Sequence, residues 1–104
     1  MASCVQITTT VANKNDADRI ADELIDKKLA ACVQIIGPIE SVYIWKKKKE
    51  KASEFLLLIK TREDLFLDIE LLFKKIHPYK TPEILAFPIS HGNRDYLDWI
   101  EVNT

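Results

Sequence analysis

The sequence predicts one α+β domain of the ferredoxin-like kind, with the element order β-α-β-β-α-β and a short C-terminal helix. Segments with the two-residue alternation of strands are interleaved with segments whose apolar residues recur every three to four positions, as in amphipathic helices. The 104 residues contain no linker or repeat and suit a single domain over positions 1–104. Right-handed crossovers then predict a four-stranded antiparallel sheet with both main helices on one face.

The first strand is predicted at Cys4 to Val11, where apolar and polar residues alternate. The first helix is predicted to open in the polar segment 13–16, with Asn15 capping the free backbone N–H groups. Its buried stripe consists of Ala17, Ile20, Ala21, Leu24 and Leu29.

A long hairpin is predicted next. An extended pattern runs from Ala31 to Trp45 and is interrupted only at Gly37-Pro38, since proline cannot donate to a ladder and glycine allows a bulge. We expect residues 46–51 to form the turn. The apolar run 55–59 in the returning strand is typical of a central strand covered on both faces.

Thr61 is predicted to cap the second helix, which Pro78 ends. The last strand, Glu83 to Ile89, carries Pro88 and should therefore lie at a sheet edge or end there. Asn93 is predicted to cap a short closing helix. The buried stripe of the second helix is predicted to be Leu65, Phe66, Ile69, Leu72, Phe73 and Ile76.

The hairpin looks too long for so small a sheet, because strands average roughly 5–6 residues. If it projects beyond the sheet, it exposes the apolar residues 42–45, and an isolated two-stranded ribbon is only marginally stable. We therefore expect the hairpin to dock on another copy of the chain, with Tyr43 and Trp45 as interface anchors rather than as a cage for a ligand. The alternative is a hairpin that curls back over its own sheet.

Composition excludes several classes of function. The net charge is −1, so no overall field attracts nucleic acid or an anionic membrane, and the lysine-rich segment 46–51 is interpreted as a solubilising hairpin tip. The longest apolar run, 55–59, is too short to span a bilayer. Two cysteines without metal-finger spacing, and an N-terminus without a basic or long apolar region, predict a reducing, cytoplasmic location.

Catalysis is not predicted. The chain has no G-x-S-x-G elbow, phosphate-binding loop or dinucleotide fingerprint, and its two glycines could not build such loops. A nucleophilic pair of Cys32 and His77 stays formally open, although nothing in the sequence places the two together.

The segment from His77 to Glu83 is the leading candidate for a binding site. It follows a helix and supplies an imidazole, the Tyr79 phenol and a carboxylate on a short loop, where binding groups often gather. The alternative is that His77 only complements the helix C-terminus. Lys60, just before the predicted cap, either meets an anion or is merely solvated, and Cys32 is either a ligand or a small buried residue.

Five stretches carry a family resemblance over nearly the whole chain: Lys28–Val33, Gly37–Trp45, Leu57–Thr61, His77–Ile84 and Tyr96–Ile100. Together they resemble the CutA family of divalent-cation tolerance proteins. The resemblance implies a ferredoxin-like homotrimer, tolerance of divalent metals and, in some members, copper binding. It also implies a distant likeness to the trimeric PII signalling proteins, which bind small effectors between subunits.

The resemblance further implies that copper-binding relatives carry a cysteine late in the first strand and a histidine just before His-Pro-Tyr. This chain has Thr9 and Ile76 at those places and retains only His77. We therefore expect a homotrimer that binds a divalent metal ion such as copper, or a small ligand, in clefts between subunits. The alternatives are a PII-like sensor of a small anionic metabolite or nucleotide and a purely structural trimer. The candidate ligand-binding residues are Cys32, Lys60, His77, Tyr79 and Glu83, with His77 as the candidate metal ligand.

Overall fold

The computed structural model describes residues 3–104. Four strands form one antiparallel sheet in the order β2-β3-β1-β4, which confirms the predicted ferredoxin-like fold. The elements are β1 (Cys4–Val11), α1 (Lys14–Asp26), β2 (Cys32–Trp45), β3 (Lys48–Arg62), a 3₁₀ turn (Glu63–Leu65), α2 (Phe66–Ile76), β4 (Leu85–Pro88) and α3 (Arg94–Val102).

The core lies between one face of the sheet and the two main helices, as predicted. On this helix face, Ile7 of β1 lies opposite Ile59 of β3, and Thr9 lies opposite Leu57. Both strands are central, and their odd-numbered residues within the sheet, 5–11 of β1 and 55–61 of β3, face the apolar stripes of α1 and α2. The buried helical members of this cluster are Ala17, Ile20, Leu24, Ile69, Leu72 and Phe73.

The other face of the sheet is covered only in part. At one end α3 packs on it, where Ile100 is fully buried and the Arg62 Nε donates to the Thr104 hydroxyl at 3.0 Å. The remainder, called the open face below, carries apolar side chains that are half-buried or exposed. These are Ile36, Leu56, Leu58, Leu85 and Phe87. The prediction that residues 55–59 lie in a central strand is confirmed, and in the single chain Leu56 and Leu58 are half-buried on their open-face side.

The β2–β3 hairpin extends beyond the sheet as a two-stranded arm, residues 39–54. The arm lengthens the molecule to 44 Å, against 26 and 22 Å in the other directions. It begins at a bulge between Ile36 and Ile39, where a Cβ on Gly37 would lie only 2.3 Å from the Phe55 ring. The predicted projecting hairpin is therefore present, and Ile44 on it is 69% exposed.

Three local predictions were wrong. The turn consists of Lys46 and Lys47 alone, and the remaining lysines of the cluster belong to β3. Asn13 rather than Asn15 caps α1, accepting the backbone N–H of Asp16. Thr61 is not a cap, because β3 stays paired with β1 as far as Arg62; Thr61 is buried and donates to the Leu29 carbonyl at 2.6 Å.

The second half of the chain is closer to expectation. The apolar stripe of α2 is buried or half-buried as predicted, and the helix ends at Ile76, before Pro78. Strand β4 is an edge strand that ends at Pro88, shorter than the predicted range. Asn93 caps α3 by accepting the backbone N–H groups of Asp95 and Tyr96.

Candidate functional site

The loop between α2 and β4, residues 77–84, crosses the edge of the sheet. Strand β4 pairs with residues 5–8 of β1, so the edge of β1 after Thr8 is not paired with β4 and lies next to the loop. At the start of the loop His77 contacts Thr9, whose side chain lies on the helix face. At its end Glu83 accepts a hydrogen bond from Thr8, on the open face, at 2.6 Å. The loop is therefore fastened to both faces of the same strand.

The His77 imidazole is half-buried and has a partner at each nitrogen. Its Nδ1 accepts the backbone N–H of Tyr79 at 3.1 Å, and its Nε2 lies 2.9 Å from the Thr9 hydroxyl. Because Nδ1 accepts, the proton of the neutral ring is on Nε2, which donates to Thr9. Burial lowers the pKa of His77, with a smaller lowering from the Arg19 charge, against the raising effects of the Thr10 backbone and of Asp16. The ring is thus held neutral in one tautomer.

Tyr79 and Glu54 join the loop to the base of the arm. The Tyr79 hydroxyl donates to Glu54 Oε2 at 2.6 Å, and the Glu54 residue is only 7% exposed. Burial and, next, the bond to Glu54 raise the pKa of Tyr79, so the phenol stays protonated and donates. A carboxylate from β3 is therefore held beneath the loop, 25 positions from its partner in the sequence.

A cleft of about 750 Å³ lies between the arm and the loop. Its walls include three aromatic rings, two carboxylates and one lysine. These are Tyr43, Trp45, Tyr79, Glu54, Glu83 and Lys80. Such a concave site with a few polar groups among aromatic side chains is the usual form of a small-ligand site.

The structure brings three of the five predicted ligand-binding residues together and leaves two apart. His77, Tyr79 and Glu83 share the loop, whereas Cys32 and Lys60 lie opposite each other on β2 and β3. Lys60 is six residues along β3 from Glu54, a distance of roughly 20 Å. It donates to the Gln34 side chain and lies within a strand, so the predicted position beside a helix N-terminus was wrong.

Cys32 has a different neighbour from the one considered in the sequence. Its thiol is hydrogen-bonded to the Tyr96 hydroxyl of α3. Burial raises the pKa of Tyr96, and the neighbouring Cys32 thiol raises it further. Two strands, β3 and β1, separate β2 from the edge where His77 lies, so the two residues do not form a nucleophile–base pair.

Sequence reasoning missed Glu54, Thr8 and the contact between Thr9 and His77. These residues come from β1 and β3 and meet the loop only through the strand order and register. Of these residues, only Thr9 could have been suspected from the sequence, because it occupies the position where the resemblance implies a cysteine ligand. In the structure the Thr9 hydroxyl contacts the His77 Nε2.

The residues of one chain do not fit a complete metal centre. Among residues 3–104, no group of three or more histidine, cysteine, aspartate or glutamate side chains is close enough to hold a metal ion. Both nitrogens of His77 already have partners, and a metal needs a free lone pair from a neutral ring. In addition, no helix in the described part of the chain is long and apolar enough to cross a membrane.

Known proteins resemble this chain over nearly its whole length. The divalent-cation tolerance protein CutA of Thermus thermophilus is 42% identical over 98 residues, covering 94% of this chain and 95% of the relative. The chloroplastic protein CutA 1 of Oryza sativa subsp. japonica is 44% identical over 100 residues, covering 96% of this chain and 56% of that longer protein. Since that relative is chloroplastic, the cytoplasmic location stays a prediction.

Solved structures agree. The crystal structure of CutA1 from Oryza sativa superimposes with a TM-score of 0.96 at 43% identity, covering 99% of this chain and 94% of the other. The sequence profile of the family described as CutA1 divalent ion tolerance protein matches residues 5–103. The chain therefore belongs to the CutA1 divalent ion tolerance protein family.

Proposed function

We propose that this chain acts in divalent-cation tolerance as a homotrimer, with a divalent cation such as copper(II) as its ligand and without catalytic turnover. The family supplies the class of function. The observation that carries the assembly is the uncovered apolar surface of a single chain, on the arm and on the open face.

The arm is the first part of this argument. Val42 and Ile44 are 54% and 69% exposed on one side of a ribbon that nothing else within residues 3–104 covers. Monomeric proteins rarely leave such a contiguous apolar surface uncovered, and a two-stranded ribbon gains stability when it packs on another surface. A neighbouring copy would supply that surface.

The open face is the second part. Ile36, Leu85 and Phe87 are each about half exposed there, on strands β2 and β4 at opposite edges of the sheet. An antiparallel sheet with apolar residues on both faces needs a second layer on each. The helices supply one layer, and α3 covers only one end of the other face. Other copies in a trimer would supply the rest.

For the cation, we propose that His77 is one ligand and that a neighbouring subunit completes the set. The imidazole is a good copper(II) ligand, and the nearby loop and arm carry carboxylates. Binding through Nε2 requires release of the Thr9 contact, so affinity should be modest. The alternative of an anionic metabolite has less support, because Lys60 lies far from the cleft and Glu54 and Glu83 repel anions from it.

Calorimetric titration with copper(II) tests the cation proposal. Tag-free protein should give saturable heats with a defined stoichiometry per trimer, and His77→Ala should abolish them. The exposed His91, whose Nδ1 contacts the neighbouring Ser90 hydroxyl at 3.2 Å, provides the matched control His91→Ala. Equal copper binding in wild type and His77→Ala would overturn the assignment of the ligand.

A further inference from the structure

We propose that the cleft between the arm and the loop binds a small organic cation that carries N–H donors, a primary ammonium or a guanidinium group. This goes beyond the proposed cation tolerance, because the site lies within one chain and its residues are not the metal ligand His77. The observation behind it is a buried carboxylate, placed among aromatic rings, that has no cationic partner within residues 3–104.

Glu54 is the centre of the argument. It is 7% exposed, and among residues 3–104 neither Glu54 nor Glu83 forms an ion pair. Burying a carboxylate is unfavourable unless donors or a positive charge compensate it. The Tyr79 hydroxyl supplies one bond to Oε2, whereas a carboxylate has about four accepting positions. The Glu54 carboxylate can therefore accept further hydrogen bonds from a ligand in the cleft.

The walls of the cleft fit the rest of such a ligand. Tyr43 and Trp45 are 43% and 44% exposed and line the cleft together with Tyr79. The negative face of an aromatic ring attracts a cation, and tryptophan does so most strongly. The sequence suggested interface anchors for Tyr43 and Trp45, but these rings border the same cavity as the two carboxylates.

Lys80, the lysine that borders the cleft, does not neutralise the two carboxylates. Lys80 borders the cleft, but it is exposed and pairs with neither carboxylate. The volume of about 750 Å³ leaves room for a small organic molecule. A bare anion would meet two carboxylates there, so the charge of the walls selects a cation.

A matched pair of probes tests the proposal. n-Butylguanidinium and n-butylurea have nearly the same shape, and only the first is charged. Calorimetry should show saturable binding of n-butylguanidinium and affinity weaker by roughly tenfold or more for n-butylurea, as expected for loss of charged hydrogen bonds. Equal binding of the two probes would overturn the proposal.

Three variants locate the site. Glu54→Gln should weaken n-butylguanidinium binding by roughly tenfold or more. Trp45→Ala should weaken it by about two- to fivefold, the range for one exposed cation–π contact. Glu40→Gln makes the same change of charge on an exposed residue of the arm outside the cleft, and it should leave binding unchanged.

Two further outcomes of these experiments also test the proposal. If Glu54→Gln unfolds, the comparison of Trp45→Ala with Glu40→Gln still tests the site, and equal affinities in those two would contradict it. If the wild-type protein binds no probe and Glu54→Gln instead weakens the trimer, a neighbouring subunit supplies the positive charge and the proposal is wrong. Copper titration of His77→Ala tests the proposed function separately, because that readout does not depend on Glu54.

Discussion

The His77 Nε2 and the Thr9 hydroxyl lie 2.9 Å apart and connect the end of α2 to β1 inside the core face of the sheet. The opposite ring nitrogen accepts the Tyr79 backbone N–H, so the imidazole bridges a strand and the first turn of the loop. This arrangement makes His77 a structural residue of the isolated chain. It also means that any metal bound through Nε2 competes with Thr9.

Replacing Thr9 with valine should destabilise the fold. Thr9 is fully buried, and valine keeps its shape while it removes the hydroxyl that accepts the His77 Nε2–H, so that the ring N–H is left with its backbone contact at Thr10. Losing one such hydrogen bond costs about 0.5–1.5 kcal/mol. Urea unfolding at one fixed protein concentration measures this, because the proposed assembly would make stability depend on concentration. Thr8→Val breaks an exposed bond to Glu83 and should cost clearly less; equal losses would contradict the account.

Stability should fall on acidification through His77. Burial lowers the pKa of His77 in the folded chain below its value in the unfolded chain, which is about 6.5. The unfolded state therefore binds the proton first, and the stability contributed by neutral His77 is complete above this value. It is lost as the pH falls through the folded-state pKa.

The groups around the ring set the comparison for this pH test. Arg19 opposes protonation, the Thr10 backbone and Asp16 favour it, and the Tyr79 backbone N–H, which donates to Nδ1, holds the neutral form. Urea titrations in metal-free buffer from about pH 7.5 to pH 5 should show a steeper loss for wild type than for His77→Gln. Parallel curves would show that another group is responsible.

Tyr79 and Glu54 should be energetically coupled. Tyr79→Phe removes the phenolic donor that hydrogen-bonds the buried carboxylate and should destabilise the fold by about 1–3 kcal/mol. Glu54→Gln keeps an accepting oxygen and should cost less. A double-mutant cycle of the two changes should give a coupling of roughly 0.5–3 kcal/mol. Strict additivity would show that the 2.6 Å contact contributes nothing to stability.

The arm should control assembly. Ile44 on the arm and Leu67 on α2 are 69% and 68% exposed in the single chain, so they make a matched pair. Ile44→Glu should raise the dissociation constant of the trimer by at least about tenfold, since a charge would be buried at the interface. Leu67→Glu should leave it unchanged. Sedimentation equilibrium over a range of concentrations distinguishes these outcomes, and equal effects would argue against an interface on the arm.

Local patterns in the sequence predicted most of the fold. The alternation in Cys4–Val11 and the apolar stripe of α2 depend on neighbouring residues, and both were read correctly. The errors arose where long-range pairing decides. Thr61 has the residue type of a helix cap, but its pairing with Val5 keeps it in β3. The lysines after Trp45 look like a turn, yet cross-strand pairing begins at Lys48.

In the candidate site, too, local residues were predicted from the sequence and residues from distant strands were not. His77, Tyr79 and Glu83 are close in sequence, so a loop motif was enough to group them. Glu54 and the two threonines come from other strands, and only the sheet order places them beside the loop. Lys60 was assigned from its distance to a supposed helix start, and that assignment failed once β3 proved longer.

Native mass spectrometry of the wild-type protein with added copper(II) tests the central claim most directly, because it reports the oligomer and its metal content together. The account predicts a species of three times the chain mass that takes up a defined number of copper ions, and a His77→Ala trimer that takes up none. A wild-type monomer, or a His77→Ala trimer with the same copper content as wild type, would contradict it.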